Sequence, residues 1–362
     1  MPTLTALPIP APACVLACGA FLKNRACLVD GAQVHWSQVH GDLSDPAACV
    51  ALEASVERLL ASAVSPVQAV AHDLHPDFHS TRVALALADR LGVPAIAVQH
   101  HHAHVAVALA ENGLRGAVVG VALDGTGLGS DGTAWGGELL WVGANAHTWR
   151  RLGHLQPLPL PGGDVAAREP WRMAAAVLHT LGRSAEIETR FAAAVSPQAL
   201  RLVTRMLRQN LNCPITTSAG RWFDAAAGAL GLSVRQATEA EAALALEARA
   251  RRWLAEHPDF NPPWYGLDLR PVVSALFDVD RADDDAVCRA AAGFHLTLAS
   301  ALAHAAAEAA DAHATRDVVL AGGCFMNAVL RRRLHWTLLS DGLKVHLPEA
   351  AGCGDVGLAL GQ

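Results

Sequence analysis

Short apolar runs and turn residues organise the start of the chain. Apolar runs at 14–20, 25–29 and 34–39 predict three strands that open with a β-hairpin. Asp45 and Pro46 then supply an N-cap and a first helical residue, and the apolar residues that follow recur at helical spacing. The opening segment is therefore expected to be a small sheet leading into a helix.

Strands and helices alternate in the next stretch. The apolar strand predicted at 67–71 ends in a polar cluster at 72–77, and Ser80 is the expected cap of a helix that Gly92 ends. An apolar run at 93–98 predicts a further, buried strand. This order predicts parallel strands joined by right-handed crossovers.

A second hairpin opens the rest of the chain, with strands predicted at 117–123 and 134–142. Residues 168–257 have a mostly helical pattern, and a long helix is predicted at 286–312 after an acidic run that caps it. Because both halves begin with a hairpin, we expect an α/β protein of two related lobes. The predicted boundaries are 1–115 for the first lobe and 116–362 for the second, which carries a mostly helical insertion at about 165–290.

Four histidines in five positions stand between the strand at 93–98 and a short helix that Gly113 ends. If His100 begins that helix, His100 and His104 lie one turn apart on one face and can bind one metal ion. His101 and His102 then point elsewhere. The alternative is a cluster of half-buried or solvated histidines. The position at the carboxyl end of a strand, where open α/β sheets bind ligands, favours the metal pair.

Two carboxylates among glycines extend this candidate site. Asp124 follows the strand at 117–123, and Asp355 lies in a glycine-rich segment near the end of the chain. Together with His100 and His104 they form a set of two nitrogen and two oxygen ligands, which suits zinc or iron(II). Calcium and magnesium prefer more oxygen ligands. Taken alone, Asp124 followed by glycine also fits an ordinary hairpin turn.

Other glycine-containing segments are candidates for binding a nucleotide. Gly322 and Gly323 lie between a strand and a helix, where backbone amides can bind phosphate or simply form a tight turn. Asp224 suits ribose hydroxyls or an N-cap region, and Glu241 either faces a nucleotide or completes a capping box with Thr238.

A further glycine turn lies at the start of the helical region. Gly162, Gly163 and Asp164 precede Arg168 and Arg172. Arginines beside a glycine turn suit a phosphate or a small acyl group, and a surface loop with solvated arginines is an equally good interpretation of these residues alone.

Composition narrows the function classes. A chain of 362 residues with 52% hydrophobic and 17% charged residues is typical of a compact globular protein, and its net charge of −6 makes a nucleic-acid partner unlikely. The eight cysteines include no C-x-x-C pair, which argues against a zinc ribbon. Because they also show no disulfide pattern, they favour a reducing cytoplasm.

Residues 1–12 show no signal peptide, and the apolar runs are too short to predict a membrane span. No motif of a serine hydrolase, a P-loop or a dinucleotide-binding protein occurs.

Taken together, the motifs closely resemble the C-terminal domain of the HypF family of hydrogenase-maturation carbamoyltransferases over essentially the whole chain. The segments that carry the resemblance are Leu22-Lys23-Asn24, Gly41-Asp42-Leu43, His72-Asp73-Leu74-His75-Pro76, Ser80-Thr81-Arg82, Gln99-His100-His101-His102-Ala103-His104, Leu123-Asp124-Gly125-Thr126-Gly127, Trp135-Gly136-Gly137-Glu138, Leu160-Pro161-Gly162-Gly163-Asp164, Gly220-Arg221-Trp222-Phe223-Asp224-Ala225 and Gly322-Gly323. So many motifs in the same order make a chance similarity implausible.

The resemblance implies an ASKHA-type fold of two ribonuclease-H-like lobes with a nucleotide bound between them. It also implies one divalent metal ion, zinc or iron, held by His100, His104, Asp124 and Asp355. The residues implied for the nucleotide are Gly162, Gly163, Asp164, Asp224, Glu241, Gly322, Gly323 and Asn327. The family is similar to the tRNA threonylcarbamoyltransferases and to antibiotic O-carbamoyltransferases.

Full-length HypF proteins carry acylphosphatase, zinc-finger and YrdC-like domains before this one, and none is present here. The chain is therefore expected to be a natural short form or a fragment that receives its activated carbamoyl group elsewhere, for example from a separate YrdC-like protein. ATP and carbamoyl phosphate would be the ultimate substrates.

We expect transfer of carbamoyl from carbamoyl-adenylate to the C-terminal cysteine of HypE, for cyanide ligand synthesis in [NiFe]-hydrogenase. His101, His102 and His72 are candidates for deprotonating the thiol, and Arg168 is a further catalytic candidate. The alternatives are an O-carbamoyltransferase acting on a small molecule and a non-catalytic nucleotide-binding partner in a maturation complex. A tRNA modifier ranks lower because of the acidic charge.

Overall fold

A computed structural model describes residues 3–362. Residues 1 and 2 of the segment 1–12, in which no signal peptide was predicted, lie outside the described residues. The first of two β-sheets has the strand order β1-β4-β3-β2-β5-β6. Its strands are β1 Thr3–Ala6, β2 Val15–Ala17, β3 Cys27–Asp30, β4 Gln33–Trp36, β5 Ala69–Asp73 and β6 Ala95–Val98. Strands β2, β3 and β4 pair antiparallel, whereas β2, β5 and β6 are parallel. The predicted opening hairpin and the parallel crossovers are confirmed.

The second sheet repeats this arrangement. Its strands are β7 Val118–Leu128, β8 Ala134–Val142, β9 Trp149–His154, β10 Leu158–Pro159, β11 Ile215–Thr216, β12 Asp317–Ala321 and β13 Lys344–His346. The path β9-β8-β7-β12-β13 has the same order and the same mixture of antiparallel and parallel pairs as β4-β3-β2-β5-β6. Two lobes of one topology follow, as the two hairpins predicted.

Helices cover these sheets and fill the segment between β10 and β12, which the short strand β11 interrupts. They are α1 Pro46–Ser62, α2 His79–Leu91, α3 His100–Asn112, α4 Asp164–Arg168, α5 Pro170–Thr180, α6 Glu186–Phe191, α7 Pro197–Gln209, α8 Ala219–Ala229, α9 Glu241–Glu256, α10 Arg270–Leu276, α11 Asp284–Ala312, α12 Ala328–Ser340 and α13 Leu358–Gly361. The Asp45 carboxylate accepts from the Ala47 amide at the start of α1, and Asp283 caps α11, both as predicted.

Two local expectations are wrong. Strand β6 is not buried: it forms the edge of the first sheet, and Ile96 is 44% exposed. Helix α2 begins at His79 after Phe78, so Ser80 lies within its first turn and does not cap it. In addition, the N-terminal stretch, for which no strand was predicted, forms β1, which pairs antiparallel with β4.

The long helix α11 is the central element of the larger core. It is long and apolar enough to span a membrane, but 72% of its most apolar stretch is buried inside the protein. Phe294 and Leu298 of this helix belong to the same buried cluster as Phe223 of α8 and Trp171 of α5. This burial is typical of the core helix of a globular lobe.

The end of the chain returns to the first lobe and packs on α3. A Cβ at Gly361 would lie 1.9 Å from the carbonyl oxygen of Ala103, so only glycine allows α13 to approach α3 this closely. Leu358, Ala103 and Ala20 form a small apolar cluster at this contact. The packing fixes the segment before α13, which carries Asp355, beside the first turn of α3.

Candidate metal and nucleotide site

Helix α3 begins at His100, which decides where the histidines point. Gln99 is its N-cap, and the Gln99 side-chain oxygen accepts from the amide of His102 at 2.8 Å. His100 and His104 consequently lie one turn apart on the buried face and are 3% and 1% exposed.

Asp124 reaches the histidines from the second lobe. Strand β7 continues past it, and the pairing with β8 shifts register between Leu123 and Gly127, so the alternative of an ordinary hairpin turn at this aspartate is wrong. The amide of Gly323 donates to Asp124 Oδ1 at 3.2 Å. The other carboxylate oxygen, Oδ2, faces the histidines.

The fourth residue, Asp355, opens a short 3-10 turn before α13. Its Oδ1 lies 3.6 Å from His100 Nε2 and 3.4 Å from His104 Nε2. The corresponding distances from Asp124 Oδ2 are 3.2 and 3.5 Å. One ligand atom from each of the four residues lies within 4.8 Å of the others. The structure thus brings the four predicted ligands together.

The donor set fits a metal ion. His104 Nε2 is buried and has no hydrogen-bond partner among the described residues, although it faces two carboxylates. A lone pair buried in this way costs free energy unless a cation or a proton satisfies it. Two imidazoles and two carboxylates at these spacings suit zinc or iron(II), and a metal ion at this position stays a prediction.

Burial and the neighbouring charges act in opposite directions on the titration of the cluster. Burial raises the pKa of Asp124, but the two histidines outweigh it and hold that pKa well below its ordinary value. Although burial opposes it, the carboxylates of Asp73 and of the two acidic ligands hold the pKa of His100 well above its ordinary value. A divalent cation would take the place of the protons that balance this negative charge, so binding would release protons.

Asp73 orients the first histidine from behind. Its Oδ2 accepts from His100 Nδ1–H at 2.7 Å, which leaves Nε2 free to face the carboxylates, and its Oδ1 accepts from the amide of His75 at 2.9 Å. In the sequence, Asp73 stands in a polar cluster at the end of a predicted strand, and no local pattern assigns it a role. Its position after β5, at the carboxyl edge of a parallel sheet, was the available signal.

Replacing Asp73 with asparagine is expected to weaken metal binding about 10- to 100-fold, because the amide can donate to Nδ1 and favour the wrong tautomer of His100. Competition of the purified protein with a chelating dye measures the affinity. Asp77→Asn, in the exposed part of the same polar cluster, is the matched control and should bind as wild type does. An unchanged metal affinity of Asp73→Asn would show that Asp73 does not orient His100 for metal binding.

The three histidines predicted as candidates for deprotonating the thiol lie outside the ligand set. His102 Nε2 donates to the carbonyl oxygen of Ala146 at 2.8 Å, and the ring stacks on Trp149. His101 is fully buried, and burial lowers its pKa well below the ordinary value; Gln99 donates to its Nδ1. His72 Nδ1 donates to its neighbouring backbone carbonyl. Their role in deprotonating a thiol stays a prediction.

The two predicted glycine turns have different surroundings: one packs on β7 beside Asp124, and the other leads into α4. Gly322 has φ +102°, and a Cβ there would lie 2.2 Å from the carbonyl oxygen of Leu123, so this turn packs directly on β7 beside Asp124. Gly162 and Gly163 also have positive φ and lead into α4. Asp164 and Arg168 lie at the two ends of α4, and both are exposed.

The other residues predicted to contact the nucleotide already have partners within the protein. Arg221 Nε lies 2.7 Å from Asp224 Oδ2, and burial raises the pKa of Asp224. Glu241 accepts from the amides of Ala237 and Thr238. The predicted capping box with Thr238 is nevertheless wrong, because α9 begins at Glu241 itself, with Ala240 as its N-cap and no side-chain cap. A nucleotide contact by Glu241 stays a prediction.

Asn327, the last of these residues, caps α12. Its side-chain oxygen accepts from the amide of Leu330, and its side-chain nitrogen donates to His295 Nε2 at 2.9 Å. Both polar ends of the side chain are therefore used in fixing the turn after Gly323. A nucleotide contact by Asn327 stays a prediction.

Protonation of His295 is expected to weaken the fold in mild acid. Burial lowers its pKa to about 4, and the ring is held neutral between Ala291 and Asn327. The unfolded chain, with an ordinary histidine pKa of about 6.5, binds the proton first, so stability is complete above that pH and falls towards pH 4 by at most about 1.4 kcal/mol per pH unit. Urea unfolding at several pH values, with a chelator present, measures the slope. His295→Gln should reduce it, and equal slopes in both proteins would contradict the assignment.

Comparison with known proteins identifies the family. The model of the HypF Kae1-like domain matches residues 10–111, and the model of the second subdomain of the Kae1-like carbamoyltransferase domain matches residues 120–362. The chain belongs to the HypF carbamoyltransferase family. A HypF homolog of Cupriavidus necator is 59% identical over 359 residues, which cover 96% of this chain and 90% of that relative. HypF2 of the same organism is 46% identical over 96% of this chain but only 46% of its own length.

Solved HypF structures have the same fold. Full-length HypF in a phosphate- and nucleotide-bound form superposes with a TM-score of 0.86 at 29% identity, over 99% of this chain and 46% of that one. HypF of T. kodakarensis gives a TM-score of 0.87 at 27% identity, over 100% and 48%. The expected ASKHA-type fold is therefore confirmed. The chain spans about half the length of these HypF proteins and most of the length of the C. necator homolog.

Proposed function

We propose that this HypF-family chain transfers a carbamoyl group from carbamoyl-adenylate to the C-terminal cysteine thiol of HypE, in the synthesis of cyanide ligands for [NiFe]-hydrogenase. Membership of a carbamoyltransferase family gives the reaction class. The observation that carries the proposal is the cluster of His100, His104, Asp124 and Asp355, joined to the glycine turn by the hydrogen bond from Gly323 to Asp124. A metal-binding cluster and a phosphate-binding turn in contact are what an adenylate with a reactive carbonyl requires.

Each part of the site has a task in this proposal. The four ligand residues would hold a divalent ion, zinc or iron, which would supply Lewis acidity when bound. The amides of the turn at Gly322 and Gly323 lie near the expected phosphate and stabilise negative charge that develops on the leaving group. The thiol gives its proton to a base, for which His101, His102 and His72 are the candidates, and its sulfur bonds to the carbamoyl carbon. The bond from that carbon to the phosphate oxygen breaks, and AMP leaves.

The acceptor thiol comes from the partner. Burial raises the pKa of both cysteines nearest the glycine turn, Cys324 and Cys353. A thiol with a raised pKa is a poor nucleophile at neutral pH. Within this proposal neither cysteine competes with a flexible C-terminal cysteine of an acceptor protein.

The activated carbamoyl group is proposed to come from another polypeptide. The full-length relatives are about twice as long as the segment that matches this chain. A separate YrdC-like protein that makes carbamoyl-adenylate from ATP and carbamoyl phosphate would supply the donor. The cytoplasmic location expected from the free cysteines stays a prediction.

The acceptor atom is tested by changing it. HypE is incubated with this chain, the metal and synthetic carbamoyl-adenylate, and its intact mass is measured. We expect the mass of one carbamoyl group to be added to wild-type HypE and not to a variant whose terminal cysteine is serine. Equal modification of both acceptors would overturn thiol transfer and favour an O-carbamoyltransferase. No modification despite normal adenylate binding would favour a non-catalytic partner.

A further inference from the structure

Lysine is almost absent from this chain. Only two of its 28 basic residues are lysines, Lys23 and Lys344, and all the others are arginines. Lysine presents a compact ammonium group with three rotatable donors on a flexible stem, whereas arginine presents a rigid planar fork. In a chain that otherwise uses arginine, a lysine therefore suits a position where a compact and flexible cation is needed. Lys344 is an exposed residue of the edge strand β13. Lys23 lies instead in a turn, where its side chain pairs with a carboxylate of the other lobe.

Lys23 lies in a turn between β2 and β3 whose shape is fixed. Its own φ is +47°, a left-handed conformation that a lysine rarely adopts, and its amide donates to Asp42 Oδ1 at 3.0 Å. The buried Asn24 donates to the carbonyl oxygens of Cys18 and Ala20 on either side of Gly19. The protein therefore holds this residue in an unfavourable backbone conformation, which is often a sign of a functional constraint.

The same turn contacts the metal cluster's supporting elements. The amide of Gly19 donates to the side chain of Gln362 at the end of α13, and Ala20 packs with Ala103 of α3 and Leu358. Helix α3 carries the two ligand histidines, and the segment before α13 carries Asp355. The base of the Lys23 turn is thus attached to both elements that build the site.

The ammonium group of Lys23 faces carboxylates of the other lobe. Its Nζ lies 2.7 Å from Oε2 of Glu239, which precedes α9. Burial lowers the pKa of Lys23, but Glu239, Asp355 and Asp124 together raise it above the ordinary value, so the ammonium lies within electrostatic reach of both acidic ligands. The side chains of Lys23 and Glu239 are 46% and 60% exposed, so solvent screens the pair and it contributes little to stability.

We propose that Lys23 binds the phosphate of the adenylate, and that Glu239 is the counter-ion which the phosphate replaces when the nucleotide binds. This inference rests on the proposed function for the identity of the ligand. A phosphate, like the carboxylate of Glu239, offers anionic oxygens for a charge-assisted hydrogen bond, and the flexible lysine stem can exchange one acceptor for the other. Lys23 would then bring a cation from the first lobe to an anion held by the glycine turn of the second.

Amine labelling with mass spectrometry tests the contact without any activity measurement. The intact protein is treated with a limiting amine-reactive reagent, alone and with saturating AMP or adenosine, and Lys344 serves as the internal reference. We expect AMP to slow labelling of Lys23 about ten-fold and to leave Lys344 unchanged, because the phosphate forms a charge-assisted bond to the ammonium. Adenosine should protect neither lysine. Bound AMP with unchanged Lys23 labelling would overturn the inference.

Binding measurements on variants separate this inference from the proposed function. Lys23→Met should weaken AMP binding about ten-fold or more and leave adenosine binding unchanged, since one charge-assisted hydrogen bond is lost. Glu239→Gln should bind AMP at least as tightly as wild type, and Lys344→Met should match wild type. If wild type binds no AMP, the proposed function fails and this inference with it. If Lys23→Met binds AMP as wild type does, only the role of Lys23 fails.

Discussion

The double substitution His100→Ala/His104→Ala is expected to remove the bound metal, from about one zinc or iron ion per chain to a small fraction of that, because half of a four-ligand set is lost. Two carboxylates alone are weak ligands for zinc or iron(II) against competing solvent. Elemental analysis of the purified protein, after removal of loosely bound ions, measures the content. Carbamoyl transfer should fall with the metal, since both histidines face the same point between Asp124 and Asp355.

His102→Ala is the matched control for that experiment. His102 lies on the same helix, but its ring stacks on Trp149 and its Nε2 donates to Ala146, away from the carboxylates. The control should keep its full metal content. Metal content in the double variant equal to that of wild type would refute the ligand assignment. If His102→Ala loses as much metal as the double variant, the loss would come from a general disturbance of α3 and not from removal of two ligands.

Gly322→Ala is expected to lower the free energy of unfolding by roughly 2–4 kcal/mol, because a Cβ would have to fit into a backbone contact and a left-handed conformation. That Cβ would lie 2.2 Å from the carbonyl oxygen of Leu123, and φ is +102°. Either β7 moves, and Asp124 with it, or the turn changes its path. Urea unfolding measures the stability, and a metal titration of the folded variant should show weaker binding.

Gly293→Ala makes the same chemical change without the contact. Gly293 lies within α11, has an ordinary helical conformation, and a Cβ there would meet nothing within 4 Å. Alanine should therefore stabilise the helix, by about 0.5–1 kcal/mol. Unfolding of Gly322→Ala at the same urea concentration as wild type would show that the turn is not packed as described.

The histidine pair was predictable because its signal is local. Spacing of four along a helix places two side chains on one face, and the strand before α3 together with Gly113 after it bounded the helix. The expectation that His101 and His102 lie off the ligand set followed from the same geometry. The hairpins of both lobes were predictable for a similar reason, since each pairs strands that follow one another directly along the chain.

Features that depend on distant pairing were not predictable from local pattern. An apolar run at β6 fits a buried strand, and only the order of the sheet shows that β6 is its exposed edge. The hydrogen bond from His100 to Asp73 spans 27 residues, and the ion pair of Lys23 with Glu239 joins opposite lobes. Asp124 and Asp355 were predicted as ligands from their positions in glycine-rich segments, and the family resemblance implied the same set, although no spacing rule connects them to the histidines.

Choice of donor is the most direct test of the central claim, that this chain performs transfer and does not make the activated carbamoyl group. HypE is incubated with the chain and metal in two arms, one with carbamoyl-adenylate and one with ATP and carbamoyl phosphate, and the mass of its terminal peptide is measured. We expect one added carbamoyl group on the cysteine in the first arm and none in the second until a YrdC-like protein is added. Carbamoylation from ATP and carbamoyl phosphate by this chain alone would contradict it.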